Sequence, residues 1–146
     1  MKQALFSIAI LTSILISCSK RDSVVSPLTS IEGKWRMTIV KDNVSGFTTI
    51  KPSTVQGDVD VTFTSTGLTS GIFSGNTPTN NILQNDYSIG NNMTISFQNL
   101  NMTKVTETSW GSGFVDHIRS SREYSIERDG KLSIKTINKT LTFKKL

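Results

Sequence analysis

One cysteine, Cys18, and one histidine, His117, occur in the 146 residues. A lone cysteine excludes an intramolecular disulfide framework. A single Cys and a single His cannot assemble a zinc cluster or a cysteine-protease site without carboxylates to complete it. Hydrophobic residues reach only 36%, short of the usual share for a globular domain even when the ten glycines are added. The deficit is filled by 20 Ser, 19 Thr and 10 Asn. Uncharged polar side chains of this kind suit strands and turns better than long helices, which argues against a helical bundle. The length allows one domain at most. Concentrated charge is missing too. The net charge is +5, but Lys34, Arg36, Lys41, Lys51, Lys104, Arg119, Arg122 and Arg128 are scattered, and the one cluster is Lys144-Lys145. No basic stripe with interleaved aromatics appears, so no nucleic-acid partner is expected and the charges read as solvated faces.

The N-terminus is the most informative stretch. Lys2 is the only charge before residue 20, and Ala4–Ile16 forms a 13-residue apolar core broken only by small hydroxyl residues. This is the pattern of an export signal. A membrane-spanning helix needs about 20 apolar residues, and this run stops short. It ends in Leu15-Ile16-Ser17-Cys18, which resembles the bacterial lipobox, where an aliphatic and a small residue precede a cysteine that is lipidated on sulfur before cleavage on its N-terminal side. Cys18 is therefore the expected lipidation site, residues 1–17 a lipoprotein signal peptide, and palmitate-type acyl chains the membrane anchor. Several chains, each contributing about 0.8 kcal/mol per buried methylene, hold a protein on a membrane where one chain does not. Ser19 takes the place of the Asp that retains lipoproteins in the inner membrane, which favours the outer membrane. Losing Lys2 leaves a mature charge of +4. Residues 18–30, polar and with one proline, form a tether.

From Ile31 onward the chain alternates at period two. Trp35, Met37 and Ile39 face one way against Lys34, Arg36 and Thr38; Val59, Val61 and Phe63 alternate with Asp60, Thr62 and Thr64. The pattern returns at Met93, Ile95 and Phe97, at Tyr124 and Ile126, at Leu132 and Ile134, and at Leu141 and Phe143. These are half-buried strands. Ser65-Thr66-Gly67, Gly90-Asn91-Asn92, Asp129-Gly130 and Asn138-Lys139 supply turn residues between them, so neighbouring strands run antiparallel. One short helix is expected where Phe114, Val115 and Ile118 follow Ser112, a candidate N-cap. The Asn-rich stretch 74–85 reads as a long loop. Seven or eight short strands, each apolar on one face, must close or sandwich, and a small antiparallel β-barrel with one short helix is the economical solution.

Ile31-Glu32-Gly33-Lys34-Trp35 resembles the opening Gly-x-Trp strand of lipocalin-like domains. Val61-Thr62-Phe63, Phe73-Ser74-Gly75-Asn76, Tyr87-Ser88-Ile89, Met93-Thr94-Ile95, Met102-Thr103-Lys104-Val105, the Phe114–Ile118 segment, Tyr124-Ser125-Ile126, Gly130-Lys131-Leu132-Ser133-Ile134 and Leu141-Thr142-Phe143 are similar to segments of the META domain of HslJ-like bacterial envelope proteins. The resemblance covers most of residues 31–146 and implies a lipocalin-like barrel; its motifs are hydrophobic and turn positions rather than catalytic ones.

Reactive chemistry is sparse. Ser112 lies in Gly111-Ser112-Gly113, a fragment of a nucleophile elbow, without an established histidine partner. His117 follows Asp116, and on a helix adjacent residues point apart. Asp58 and Asp60 share one side of a strand or its approach; with no third acid at calcium-loop spacing they read as solvated rather than as metal ligands. No catalytic residue, metal or cofactor is therefore expected. Trp35 is expected to plug one end of the barrel, while Trp110, on a Gly-flanked loop before the helix, either covers a barrel end or serves recognition; these two are the candidate ligand-binding residues. Four Asn-x-Ser/Thr sequons, at Asn43, Asn92, Asn101 and Asn138, are close to chance at this composition. The sequence points to a lipid-anchored, monomeric envelope lipoprotein acting through an interaction or envelope-stress module, with a lipocalin-like carrier of a small apolar ligand as the alternative. The two differ in whether Trp35, Met37, Ile39, Val61, Phe63, Ile95, Phe97, Leu132, Ile134 and Phe143 fill the interior.

Overall fold

The computed structural model describes residues 30–146; the expected signal peptide, Cys18 and the expected tether up to residue 29 lie outside the described residues. Alternation in GKWRMTIVKD makes strand β1 (Gly33–Asp42), which buries Trp35 and Met37 on its inner face. A short β2 (Thr48–Ile50) turns back on it, and β3 (Asp60–Ser65), β4 (Ser70–Asn76) and β5 (Asn81–Ile89) follow as antiparallel neighbours. A single 3-10 turn (Asn91–Met93) leads into β6 (Ile95–Phe97). Helix α1 (Ser109–Ile118) then precedes β7 (Ser121–Ile126), β8 (Leu132–Thr136) and β9 (Lys139–Lys145). The spatial order is β6-β5-β4-β3-β1-β9-β8-β7, with β2 on the upper half of the β1 edge that β3 leaves free. A bridge between Thr94 and Glu123 brings β6 against β7 and nearly closes the sheet into an eight-stranded barrel. The expected mainly β barrel with one short helix is what forms.

Closing the sheet lets its inner faces bury one another, with a connected cluster of aromatic rings among the aliphatic side chains. Phe73 is fully buried, with ring centroids 5.6 Å from Phe63, 4.9 Å from Phe97 and 6.4 Å from Phe114; Phe114 lies 6.4 Å from Phe143. Each buried Phe-sized side chain contributes about 1.5–3 kcal/mol. Trp35 closes the barrel near the start of β1, its indole N–H donating to the Ile31 carbonyl at 2.7 Å and its ring lying 5.4 Å from the Lys145 ammonium. Of the ten expected core residues, nine are buried and Ile39 is only half-buried. The cause is a β-bulge: Met37 pairs with Phe143, yet Ile39 pairs with Thr142, so one extra residue, Thr38, shifts the phase and turns Val40 inward instead.

Several other local expectations are corrected. The stretch 74–85 is the tight β4–β5 hairpin rather than a long loop. Met93 is exposed with φ 59° and belongs to the 3-10 turn, because Asn92 and Met93 both take the left-handed conformation there. The helix cap is Thr108, whose hydroxyl accepts from the Gly111 N–H at 3.1 Å, and α1 begins a turn before Ser112. Trp110 consequently lies in the first helical turn, on a buried stripe with Phe114 and Ile118 at i, i+4, i+8, rather than in a loop. Asp60 is buried and not solvated: Arg36 grips it through two hydrogen bonds of 2.7 and 2.8 Å, reaches Asp58 at 2.9 Å, and Lys51 joins Asp58 at 2.8 Å. This network closes the loop between β2 and β3 where the two strands exchange places along β1. Hydrogen bonding from Lys51, with Arg36 close by, holds the Asp58 carboxyl below its ordinary value.

Candidate functional site

The site is built where the barrel wall opens. After β6 the chain continues along β5 without forming a regular strand: Gln98 N–H donates to Asp86 O, Leu83 N–H to Asn101 O at 2.9 Å and Thr103 N–H to Asn81 O at 3.0 Å, with Ile82 and Met102 directly opposed. Residues 100–105 thus add an extended segment to β5. Two buried asparagines fix it there. Asn85 donates to the Leu83 and Asn101 carbonyls and accepts from the Asn101 N–H. Asn80, 3% exposed, donates to Val105 O at 2.9 Å and accepts from Val105 N–H at 2.7 Å and the Thr103 hydroxyl at 3.1 Å. Side-chain amides supply both donor and acceptor, so each asparagine replaces a rung of sheet ladder.

Glu107 locks the same corner. Its carboxylate accepts from the Thr77 and Thr79 hydroxyls, the Asn80 amide and the Thr108 N–H. Burial opposes ionisation of this carboxyl, but the hydrogen bonds outweigh it and hold it below the ordinary value. The side chain lies against the first turn of α1, where a Cβ on Gly111 would meet its carboxyl carbon at 2.2 Å. The position has room for glycine alone unless Glu107 moves.

In antiparallel pairing with β5, residues 101 and 103 turn their main-chain groups toward β5, and residues 100, 102 and 104 turn theirs outward. Arg119 at the end of α1 donates to the outward Leu100 carbonyl at 3.1 Å. The N–H and C=O of Met102 and Lys104 find no partner among the described residues. Between this edge and α1 lies an open groove of about 520 Å³, floored by Leu100, Met102 and Val115 and flanked by Leu83 and Val105, which are 53% and 59% exposed. Lys104 and Arg119 line it and enter no ion pair with the described carboxylates, while Glu107 is held by donors from four residues. The groove is apolar along its floor and positive at its rim.

Two further hollows, of about 500 and 280 Å³, lie on the outer face of β8 and β9 and are lined by threonines, serines, lysines and Glu127. The residues singled out in the sequence fall elsewhere. Trp35 and Trp110 are 1% and 2% exposed, so neither presents a ring face to solvent, and the Trp110 indole N–H has no hydrogen-bond partner among the described residues. Ser112 is in the first turns of α1, not at a strand-to-helix elbow. His117 offers its carbonyl to the Ser120 N–H and hydroxyl. Among the described residues no three His, Cys, Asp or Glu side chains gather as a metal site, and no helix is long and apolar enough to cross a membrane. No family model, curated protein or solved structure matches the chain.

Asn80, Asn85 and Glu107, which build the groove, carry no signal in the sequence beyond their residue types. Their roles depend on partners about 16 to 30 positions distant in the chain.

Proposed function

We propose that this protein is a membrane-anchored bacterial envelope lipoprotein, attached through lipidated Cys18, in which a META/lipocalin-like barrel works as a non-enzymatic interaction module. The observation that carries the reading is the filled interior. Phe63, Phe73, Phe97, Phe114 and Phe143 meet across the barrel, where a carrier needs vacant space for its ligand. Recognition then falls to the outer surface, and the groove beside α1 is the described surface with both apolar floor and uncommitted charge. The lipobox-like Leu15-Ile16-Ser17-Cys18 supports the anchor, and Ser19 favours the outer membrane.

The test compares wild type with Cys18→Ala. Intact mass spectrometry should show a multiply acylated species, membrane-bound on fractionation, that the variant loses. Native mass spectrometry of the variant should show the protein free of small apolar molecules. A wild type of the mass of an ordinary secreted chain refutes the anchor; a stoichiometric apolar ligand refutes the interaction module in favour of the carrier.

A further inference from the structure

We infer that the groove between residues 100–105 and α1 binds an extended peptide segment of a partner protein by strand addition, and that the segment it selects turns toward the groove a face of apolar side chains ended by an acidic one. The inference rests on the interaction-module reading and names the chemistry of its partner.

Three features of the groove converge on this ligand. The first is the free edge. Met102 and Lys104 turn four main-chain groups into the groove at the two-residue spacing of a ladder, and none is paired among the described residues. A small amphiphile satisfies one or two such groups, whereas a peptide backbone repeats its own donors and acceptors at the matching interval. The second is rigidity. The opposite edge of the same segment is bonded to β5 and clamped by Asn80 and Asn85, so the template is held before any ligand arrives and little ordering entropy is lost on binding. The third is charge. Lys104 and Arg119 are exposed on the groove without carboxylate partners, and Glu107 has its oxygens turned to Thr77, Thr79, Asn80 and Thr108. Leu100, Met102 and Lys104 share one face of the extended segment, so a strand laid on this edge sets its own alternate side chains beside them, apolar ones against Leu100, Met102 and Val115 and a carboxylate where the row ends at Lys104.

The experiment uses the Cys18→Ala chain, the fluorescein-labelled heptapeptide Glu-Thr-Val-Thr-Val-Thr-Glu, whose groove-facing row carries an acid at each end for either strand direction, its counterpart with lysine in place of glutamate, and a version of the glutamate peptide N-methylated at alternate backbone nitrogens on one edge, prepared for either edge. Binding is followed by anisotropy, and the site is read from amide hydrogen exchange. The glutamate peptide should bind and slow exchange at Met102 and Lys104 at least tenfold, leaving Thr103, already bonded to Asn81, unchanged. Lys104→Glu should weaken binding at least tenfold. N-methylation should abolish it on one edge and leave it intact on the other, which separates strand addition from side-chain capture. Binding that leaves Met102 and Lys104 exchange unaltered, equal binding of the lysine peptide, or no binding up to millimolar concentration overturns the strand-addition site. Titration with dodecanoate distinguishes this failure from failure of the broader reading: resonance shifts at Phe73 and Phe114 with dodecanoate bound inside the barrel refute the interaction module itself, whereas an unaltered interior beside an inert groove refutes only the peptide site.

Discussion

Replacing Phe73 by alanine tests whether the barrel interior is a packed core or a space for cargo. Phe73 is fully buried and central to the aromatic cluster, with Phe97 at 4.9 Å, Phe63 at 5.6 Å and Phe114 on the helix at 6.4 Å. Truncating such a residue removes its transfer free energy and leaves a cavity that the strands cannot fully close, a loss of about 3–5 kcal/mol. That is a large part of the about 5–15 kcal/mol available to a domain. With a urea slope of about 1.5 kcal/mol/M, the unfolding midpoint should fall by roughly 2–3 M with the slope unchanged. Leu68→Ala is the matched control, because Leu68 is fully exposed in the β3–β4 turn and its loss should leave the midpoint where it is. The vacated space is lined by apolar rings and should stay dry, so benzene should raise the midpoint of Phe73→Ala and leave wild type unaffected. A midpoint shift for Phe73→Ala no larger than that of Leu68→Ala would mean that the interior relaxes freely. Benzene stabilising wild type as much as the variant would mean that a vacancy already exists. Either result refutes the argument from packing.

Two further predictions follow from local geometry. Gly75 and Gly130 both have positive φ, 156° and 79°, but a Cβ on Gly75 would sit 2.0 Å from the Asp60 carbonyl oxygen while one on Gly130 meets nothing within 4 Å. Gly130→Ala should therefore cost about 1 kcal/mol in urea unfolding, the backbone cost alone, and Gly75→Ala several-fold more, with loss of β3–β4 amide protection; equal effects would sink the steric account. Glu32, Asp42 and Asp58 have carboxyls held below their ordinary values, principally by hydrogen bonds from Ser65, Lys139 and Lys51 respectively, and Glu107 by the donors around it. Carboxyls depressed in the folded state stabilise it above the ordinary carboxylate range and lose that contribution as pH falls through about 4 and below. The urea midpoint should be flat near neutrality and decline from about pH 5 to pH 3, and a midpoint that rises on acidification contradicts the assignment.

Period-two alternation and turn chemistry made the barrel legible, because both are set by neighbours in the chain. Trp35, Val61, Phe63, Ile95, Phe97, Leu132, Ile134 and Phe143 point inward as their spacing predicts, and Asp129-Gly130 forms its turn with Gly130 at φ 79°. What was not legible depends on distant partners. The bulge at Thr38 is visible only in the pairing of β1 with β9, so the phase shift from Ile39 to Val40 has no local mark. Asn-rich composition suggested a loop over 74–85, yet Asn80 and Asn85 are buried because their amides bond residues 101–105, a reason absent from local propensity. Gly111 and Gly113 disguised the first turns of α1, where Gly111 is required by the Glu107 side chain folded over it. The candidate groove is assembled wholly from such long-range relations, which is why Trp35 and Trp110 drew attention in the sequence and the edge at Met102 and Lys104 did not.

The positive rim also bears on how an open strand edge avoids pairing with further copies of the chain. Unpaired edges template association with further copies of the same chain, and charged side chains, lysine above all, are a common means of blunting them. Two copies meeting edge to edge at residues 100–105 bring Lys104 toward Lys104 with Arg119 nearby, and the one carboxylate in the groove, Glu107, already accepts from Thr77, Thr79, Asn80 and Thr108. Like charges across a sheet edge oppose pairing, whereas an acidic strand meets the same lysine favourably. At the proposed peptide site, the charge that opposes self-association also supplies selectivity for an unlike partner, and both effects weaken together with rising salt because Lys104 and Arg119 are exposed to solvent. On this account a neutral replacement, Lys104→Gln, removes the repulsion between copies, so that variant should self-associate through residues 100–105 more readily than wild type at low ionic strength, as read by sedimentation, whereas Lys104→Glu puts one like-charge pair in place of another and should not. A Lys104→Gln variant that stays as monomeric as wild type would show that the edge is protected by something other than its charge.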